Sequence, residues 1–391
     1  MIYKQFKDLK LSSLGFGAMR LPSTGSGYGA PIDYVKAAEL IEYAYKNGIN
    51  YFDTSYFYHD GDSERFLGKT LASFPRESWY LASKLPGNLM RYNDGKLEVS
   101  GKVFSGPEEV FNFQMERCAV DYFDFFLLHN LAESTYDIYT NEDLGIIDCL
   151  LEQKARGRIR HLGFSSHGRP GTIDNFLNYL AGRKCRDFEF AMIQMNYLDW
   201  TLQEAGKKHE VLNRHGLATF VMEPLRGGKL ARLGGEAEAL LKASRPNDTL
   251  AAWAFRFLQS IEDIPVVLSG MSSLEHLKEN LALFSRHDPL TEEESRILQK
   301  VLESITDLVP CTSCRYCVEY CPQGLDIPML LTLYNEASFD MAWFLNAAIR
   351  TLKDEEKPGA CTSCRSCVPL CPQNIDIPKE LEEFDKKIKS K

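Results

Sequence analysis

Residues 311–328 of the chain read CTSCRYCVEYCPQGLDIP, and residues 361–378 read CTSCRSCVPLCPQNIDIP. The two stretches form an internal repeat at an offset of 50 positions, and each contains the spacing Cys-x2-Cys-x2-Cys-x3-Cys-Pro. Eight of the eleven cysteines in the chain belong to this repeat. Thiols spaced this densely and regularly indicate a metal-binding module at this end of the chain.

The spacing is that of bacterial ferredoxins, which hold two [4Fe–4S] clusters. Three closely spaced thiolates bind one cluster, and the fourth thiolate, which precedes a proline, binds the other cluster. The predicted ligands of the first cluster are Cys311, Cys314, Cys317 and Cys371. The predicted ligands of the second cluster are Cys361, Cys364, Cys367 and Cys321.

Disulfide bonds and a pair of zinc sites are the alternatives for these cysteines. Residues 1–5 lack the apolar core of a secretory signal peptide, so a secreted disulfide framework is not expected. Zinc sites would use four ligands each but give no reason for the same cysteine–proline spacing twice. We therefore expect iron–sulfur clusters.

The segments 328–334 and 341–352, between the two cysteine runs, carry apolar residues at helical spacing. The C-terminal module, residues 306–391, therefore resembles the α-helical ferredoxin domains of respiratory iron–sulfur subunits. The compact ferredoxins built on β-hairpins are less similar, because neither segment alternates as a strand would.

The first 305 residues alternate between short apolar segments and amphipathic ones. The predicted strands are 13–19, 50–54, 79–84, 123–129, 161–165, 190–196, 218–223 and 265–270. The predicted helices are 33–47, 63–72, 106–119, 142–157, 170–181, 203–215, 247–260 and 273–284. Eight such alternations predict an α/β fold of the (β/α)8 TIM-barrel type. An open dinucleotide-binding sheet is disfavoured because Gly15 and Gly17 lack the third glycine of that fingerprint.

The composition excludes some classes of function. The chain has 391 residues with a net charge of −9, so attraction to nucleic-acid phosphates is not expected. No apolar run approaches the roughly 18 residues that a membrane-spanning helix needs. We therefore expect a cytoplasmic protein without a membrane span.

Polar side chains stand at the ends of three successive predicted strands, where barrel enzymes place their chemistry. They are Asp53, Tyr58, Lys84 and His129. A lysine close to Tyr58 is expected to stabilise tyrosinate and lower the pKa of the phenol, with Asp53 holding the lysine in place. An imidazole beside the phenol could orient a carbonyl oxygen. Such a group could protonate that oxygen while a hydride reaches the carbon.

The order and spacing of these residues resemble the aldo-keto reductase family. The matching stretches are NYFDTSYFY at 50–58, Ser63-Glu64, Leu67-Gly68, Ser83-Lys84 and Leu127-Leu128-His129. The resemblance covers about residues 1–305. It implies a catalytic tetrad of Asp53, Tyr58, Lys84 and His129, with Tyr58 as the general acid.

The same resemblance implies a nicotinamide cofactor. Ser165 and Ser166 match positions that contact the carboxamide, and Gln194 matches a second contact. Residues 224–230 match a loop that closes over the pyrophosphate, and residues 279–280 match a pair near the adenine. The implied cofactor-binding residues are Ser165, Ser166, Gln194, Met222, Pro224, Leu225, Gly227, Gly228, Leu230, Gly270, His276, Glu279 and Asn280.

Three positions depart from the pattern of the family. Met222 stands where many members place an aromatic ring against the nicotinamide, although sulfur can also pack on a ring face. Gly270 and His276 align with a lysine and an arginine that often bind the 2′-phosphate, so both NADH and NADPH stay open. Residues 86–105 form a long polar segment after Lys84, either a substrate or docking loop or a plain surface insertion.

Three functional hypotheses follow from the two modules. In the first, the barrel interconverts a small carbonyl compound and an alcohol, and the clusters exchange electrons with an external one-electron carrier protein. A flavin would then be the natural group to split the electron pair, although no flavin motif is present. In the second, a conventional reductase carries structural or oxidation-sensing clusters. In the third, the chain is a non-catalytic electron-transfer subunit.

Overall fold

The structure is a computed structural model that describes residues 1–25, 30–93, 96–305, 308–309, 311, 315, 317–318, 320–339, 343–371 and 373–390. The chain folds into two compact units. The barrel unit comprises residues 1–197, 204–232 and 247–295. The C-terminal unit comprises residues 198–203, 233–246 and 296–391. No helix in the described part of the chain is both long and apolar enough to cross a bilayer.

Thirteen strands lie in the described residues. They are β1 (Tyr3–Phe6), β2 (Leu9–Ser12), β3 (Leu14–Gly17), β4 (Tyr51–Asp53), β5 (Tyr80–Leu85), β6 (Met90–Asn93), β7 (Lys96–Val99), β8 (Lys102–Phe104), β9 (Phe123–Leu128), β10 (Ile159–Ser166), β11 (Phe188–Gln194), β12 (Ala218–Met222) and β13 (Val267–Ser269).

The same residues contain fifteen α-helices. They are α1 (Tyr34–Lys46), α2 (Asp62–Leu71), α3 (Pro107–Cys118), α4 (Tyr136–Thr140), α5 (Ile146–Ala155), α6 (Pro170–Gly182), α7 (Asp199–Leu202), α8 (Ala205–Arg214), α9 (Gly235–Ser244), α10 (Leu250–Gln259), α11 (Leu274–Leu283), α12 (Glu292–Ile305), α13 (Ile327–Phe339), α14 (Trp343–Thr351) and α15 (Ile377–Lys389).

Eight parallel strands close into a barrel, in the order β10-β11-β12-β13-β3-β4-β5-β9. This confirms the predicted (β/α)8 architecture. Strand β9, with the sequence FDFFLL, is buried at all six positions. Strands of parallel sheets are covered on both faces, so near-continuous apolar runs of this kind are typical of them. Because all eight strands run parallel, the polar residues at their carboxyl ends lie at one rim of the barrel.

The antiparallel hairpin β1–β2 precedes the barrel. Its Phe6 ring lies 5.2 Å from the Phe220 ring and 5.6 Å from the Phe125 ring, measured between centroids. These rings form an apolar cluster inside the barrel. The hairpin, which spans Tyr3 to Ser12, therefore contributes to the core of the barrel.

Residues 86–105 contain a three-stranded antiparallel sheet, β6-β7-β8. Leu97 and Val99 are buried on one face of β7, while Lys96 and Glu98 are exposed. This segment, expected as a polar loop, therefore has an apolar face of its own. It follows β5 directly, on the rim side of the barrel.

The C-terminal unit reproduces the sequence repeat in its backbone. Helices α13 and α15 begin at Ile327 and Ile377, 50 positions apart. The residues three positions before them, Gly324 and Asn374, have positive φ values of 65° and 54°. With α14 between the two repeats, this part of the chain is mainly helical, as expected.

Candidate functional site

Asp53, Tyr58 and Lys84 meet at the rim of the barrel. The Lys84 ammonium nitrogen, Nζ, lies 2.5 Å from Asp53 Oδ1, 2.8 Å from the carbonyl oxygen of Thr54 and 3.4 Å from the Tyr58 hydroxyl. Asp53 and Lys84 are both 1% exposed. The three adjoining strand ends β4, β5 and β9 hold these groups and His129 because their parallel register aligns their carboxyl ends. The structure thus brings the four predicted catalytic residues to one place.

Burial controls the charges at this site. It lowers the pKa of Lys84 and raises the pKa of Asp53, while the contact between the two groups opposes both shifts. Burial also raises the pKa of Tyr58 well above its usual value, and the negative charge of Asp53 adds to this shift. The direction is opposite to the lowering expected from the sequence. The lysine charge is largely compensated by Asp53, so Tyr58 stays protonated and can donate.

His129 is fixed by two neighbours. Its Nδ1 lies 3.0 Å from the Ser55 hydroxyl oxygen, and its ring stacks on Phe57 with centroids 4.8 Å apart and 7° between the planes. Its ring centroid is 6.0 Å from that of Tyr58, nearly perpendicular to it. Burial lowers the pKa of His129 well below its usual value, and the positive charge of Lys84 contributes. The imidazole is therefore neutral at neutral pH.

A left-handed turn follows Tyr58. His59, Asp60 and Gly61 have φ values of 51°, 54° and 86°. His59 Nδ1 lies 2.9 Å from the carbonyl oxygen of Ala30. A Cβ at Gly61 would overlap the Arg117 guanidinium, since the nearest nitrogen would be 1.4 Å away. Only glycine fits at position 61. The turn therefore fixes the position of the Tyr58 backbone, from which the phenol extends.

A buried ion pair connects this turn to the strand that bears Lys84. Arg117 donates to the carbonyl oxygen of Tyr56 and lies 3.2 Å from Glu64 Oε2. Glu64 Oε1 accepts hydrogen bonds from Ser83 and from the Gln114 side chain, at 2.6 and 2.7 Å. The same Gln114 amide also donates to the carbonyl oxygen of Lys84. One network therefore positions both sides of the site.

Replacing Glu64 by glutamine is expected to lower the free energy of unfolding by about 3–5 kcal/mol, because it leaves the Arg117 charge buried without its counter-ion. Urea unfolding followed by circular dichroism measures this change. Replacing Arg183, whose guanidinium pairs with Asp148 at the surface, should cost only about 0–1 kcal/mol. Equal costs for the two variants would contradict the proposed role of the buried pair.

The serines predicted to contact the carboxamide lie at the end of β10 and are buried. The Ser165 hydroxyl oxygen accepts from the backbone N–H of Asn130, and the Ser166 hydroxyl donates to the carbonyl oxygen of Leu131. Both side chains thus hold the loop that follows β9. Gln194, also buried, ends the neighbouring strand β11.

The predicted pyrophosphate loop follows β12, which ends at the half-buried Met222. Gly227 and Gly228 have φ values of 67° and 92°, a conformation that suits glycine. The backbone N–H of Gly227 donates to Glu223 Oε2 at 2.6 Å. Pro224 and Leu230 are buried, and Leu225 is half-buried. The loop is thus anchored by apolar side chains with its glycine backbone at the surface.

The predicted adenine-side residues lie on or beside α11. Asn280 is buried and donates to Ser269 at 3.1 Å, and Glu279 accepts from Thr249. His276 is exposed in the first turn of the helix, and its backbone N–H is capped by the hydroxyl of Ser273. Gly270 follows β13, where a Cβ would lie 3.3 Å from Arg20 Cδ. The two aligned positions therefore carry one imidazole and no lysine or arginine, and the Arg20 side chain lies beside Gly270.

Two small cavities in the C-terminal unit are lined by cysteines. Cys321, Cys361, Cys364 and Cys367 line one of them. Cys311, Cys317 and Cys371 line the other, and Cys314 lies outside the described residues. Most other lining side chains are apolar, among them Leu325, Leu331, Ile375 and Ile377. Among the described side chains, no three His, Cys, Asp or Glu residues converge on one point for a single metal ion.

Comparison with known proteins places both parts of the chain. Residues 13–303 match the model of the aldo/keto reductase family. The chain belongs to the aldo/keto reductase family. Residues 310–376 of this aldo/keto reductase match the model of a 4Fe-4S dicluster domain. The protein is therefore an oxidoreductase of this family that carries a 4Fe-4S dicluster domain.

Three distant proteins similar to this aldo/keto reductase are matched over almost their whole length. L-galactose dehydrogenase of Arabidopsis thaliana is 25% identical, over 77% of this chain and 93% of the relative. NADH-specific methylglyoxal reductase of Escherichia coli strain K12 is 23% identical, over 76% and 97%. The holo form of an aldo-keto reductase from Bacillus halodurans superposes with a TM-score of 0.58 at 27% identity, covering 77% of this chain and 96% of that one.

Sequence reasoning missed the groups that support the four predicted residues. Ser55 and Phe57, which hold His129, lie inside the quoted stretch 50–58 but had no assigned role. Gln114 and Arg117 lie on α3, and no local pattern indicates that they reach Glu64. Only the fold brings α2 and α3 together. A buried charge with a distant partner leaves no trace in the spacing of either helix.

Proposed function

We propose that the barrel unit catalyses the nicotinamide-dependent interconversion of a small carbonyl compound and its alcohol. The main support is the buried contact series from Asp53 through Lys84 to the Tyr58 hydroxyl. Tyr58 is the proton donor to the carbonyl oxygen. The Nε2–H of neutral His129 orients that oxygen. Asp53 holds Lys84 in place, and Lys84 holds the Tyr58 hydroxyl. These are proposed catalytic roles.

The bound nicotinamide supplies or accepts a hydride at the substrate carbon. Its proposed binding residues are those implied by the family resemblance. Ser165, Ser166 and Gln194 would hold the carboxamide, and Met222 would pack on its ring. The loop 224–230 would cover the pyrophosphate, with the backbone at Gly227 and Gly228 near phosphate oxygens.

The adenine end of the cofactor site consists of Gly270, His276, Glu279 and Asn280. A 2′-phosphate carries almost two negative charges and needs cations, and neither aligned position, Gly270 or His276, supplies a lysine or arginine, which favours NADH. The E. coli relative is an NADH-specific reductase, which supports the same preference. The relatives' names also support small aldehydes and sugars as the substrate class.

The shifted pKa values predict an unusual pH profile for carbonyl reduction. Tyr58 must be protonated to donate, and its raised pKa moves any loss of rate above about pH 10. His129 must be neutral, and its lowered pKa moves its protonation well below about pH 6.5. We therefore expect kcat/KM to stay flat between these limits. A titration of kcat/KM centred near pH 6.5 or below pH 10 would contradict the assigned protonation states.

We also propose that the C-terminal domain, residues 306–391, holds two [4Fe–4S] clusters, with residues 1–305 forming the barrel domain. The first cluster would be bound by Cys311, Cys314, Cys317 and Cys371, and the second by Cys361, Cys364, Cys367 and Cys321. The two cavities support this pairing, because each one combines cysteines of both runs. A [4Fe–4S] cluster supplies one-electron chemistry when bound.

The proposed role of the clusters is exchange of electrons with an external one-electron carrier protein. A hydride delivers two electrons together, so a flavin, bound here or on the carrier, is the proposed splitter of the pair. Simple carbonyl reduction needs no cluster, which makes a dedicated electron-exchange role the better explanation of the domain. We place the protein in the cytoplasm, where reducing conditions keep cysteine thiols reduced and able to bind clusters.

Anaerobic electron paramagnetic resonance on cluster-containing protein tests this role. NADH or NADPH is added, with and without a flavin, and dithionite serves as the control. A reduced-cluster signal produced by a nicotinamide is the expected result. Reduction by dithionite alone would leave two explanations: cluster potentials too low for a nicotinamide, or a conventional reductase with structural or oxidation-sensing clusters.

A further inference from the structure

One arginine stands in each cysteine run, at equivalent positions of the repeat. Arg315 and Arg365 are 50 residues apart, and both have a left-handed backbone, with φ values of 67° and 61°. Each one lines a different cysteine cavity. Arg315 lines the cavity of Cys311, Cys317 and Cys371, whereas Arg365 lines the cavity of Cys321, Cys361, Cys364 and Cys367.

Each arginine is held by an aspartate eleven residues later. The Arg315 guanidinium lies 3.2 Å from both carboxylate oxygens of Asp326, and the Arg365 guanidinium lies 3.3 Å from Asp376. Both aspartates directly precede a helix, α13 or α15. The ion pairs are exposed, with arginine side-chain exposures of 58% and 59%. Exposed ion pairs contribute little to stability. Stability alone therefore does not explain why an arginine lines each of the two cysteine cavities.

We infer that Arg315 and Arg365 set the reduction potentials of the two clusters, one arginine for each cluster. This inference rests on the proposed two-cluster function. Reduction adds one electron to a cluster from the external reductant and therefore adds one negative charge. A cation at the cavity wall stabilises the reduced form and raises the potential, whereas the paired aspartate reduces this effect.

The test is a redox titration with mediators, followed by electron paramagnetic resonance, on the cluster-loaded full-length protein. Arg315→Gln is expected to shift the reduction equilibrium of one cluster towards the oxidised form by about three- to tenfold, where tenfold is 59 mV for one electron. Arg365→Gln should shift the other cluster, and the double variant should shift both. Asp326→Asn, which keeps a side-chain cap for α13, should give a smaller shift in the opposite direction.

Controls distinguish a failure of this inference from a failure of the two-cluster proposal. Lys386→Gln removes a cation that is also exposed and ion-paired but lines neither cavity, and it should move neither potential. The shifts should shrink with rising ionic strength because the arginines are exposed. Unmoved potentials in the arginine variants, or equal shifts of both clusters in a single variant, would overturn the inference. Absence of iron and sulfide from the wild-type protein would instead overturn the two-cluster proposal.

Discussion

Replacing Tyr58 by phenylalanine is expected to lower kcat for carbonyl reduction by about 10²- to 10⁴-fold, the usual contribution of a general acid. The Tyr58 hydroxyl lies within 3.4 Å of Lys84, and it is the group proposed to protonate the carbonyl oxygen. The binding of NADH should stay within a few-fold of wild type, because the change removes one oxygen atom. Steady-state kinetics with a small aldehyde and fluorescence titration with NADH measure the two effects.

Tyr51→Phe is the matched control for this variant. Tyr51 lies on β4, two residues before Asp53, and its ring packs inside the barrel against Phe125 and Phe220. Its buried hydroxyl has no hydrogen-bond partner in the described part of the chain, so its loss should change neither kcat nor the fold. Unchanged activity in Tyr58→Phe, or equal losses in the two variants, would show that Tyr58 is not the acid.

Replacing Cys321 by alanine is expected to remove one whole cluster, so that about four iron atoms per chain remain out of about eight. Cys321 belongs to the first cysteine run but lines the cavity of Cys361, Cys364 and Cys367. A double variant tests this crossing of ligands. Under the proposed pairing, Cys321 and Cys361 serve the same cluster, so the double variant also keeps about four iron atoms.

Iron and sulfide analysis with electron paramagnetic resonance measures the loss. If each run instead bound its own cluster, the double variant of Cys321 and Cys361 would lose both clusters and retain almost no iron. Cys149→Ala is the control, since Cys149 lies on α5 in the barrel unit. It should keep both clusters. Full iron content in Cys321→Ala would remove that residue from the ligand set.

The barrel was predictable because its strands are short apolar runs separated by amphipathic helices, as in FDFFLL of β9. The sheet at 90–104 was not, since each of its strands contains a charged residue and none is a continuous apolar run. The signal that could have found it is its turns. Ser100 and Gly101 both have positive φ, as a two-residue hairpin turn requires. The dipeptide Asp94-Gly95 is a typical turn sequence, although it lies outside the described residues.

The four proposed catalytic residues were predictable because each lies at or just after the end of a strand, so the barrel brings them together. Their electrostatics were not. The sequence indicates that a lysine lies near Tyr58. Only the structure shows that Lys84 forms an ion pair with Asp53 and that burial raises the pKa of the Tyr58 phenol. A pKa depends on desolvation as much as on neighbouring charges, and no spacing of residues reports the depth of a side chain.

Each cysteine cavity is lined by residues of both repeats, which determines when the C-terminal domain can assemble its sites. Neither repeat encloses a cavity with its own cysteines alone, since Cys321 and Cys371 have exchanged places between the halves. Two identical subunits that exchange one segment have the same arrangement, but here both copies belong to one polypeptide. Under the proposed pairing, neither run completes a cluster site alone, so both sites stay incomplete in a nascent chain until the second run has been synthesised.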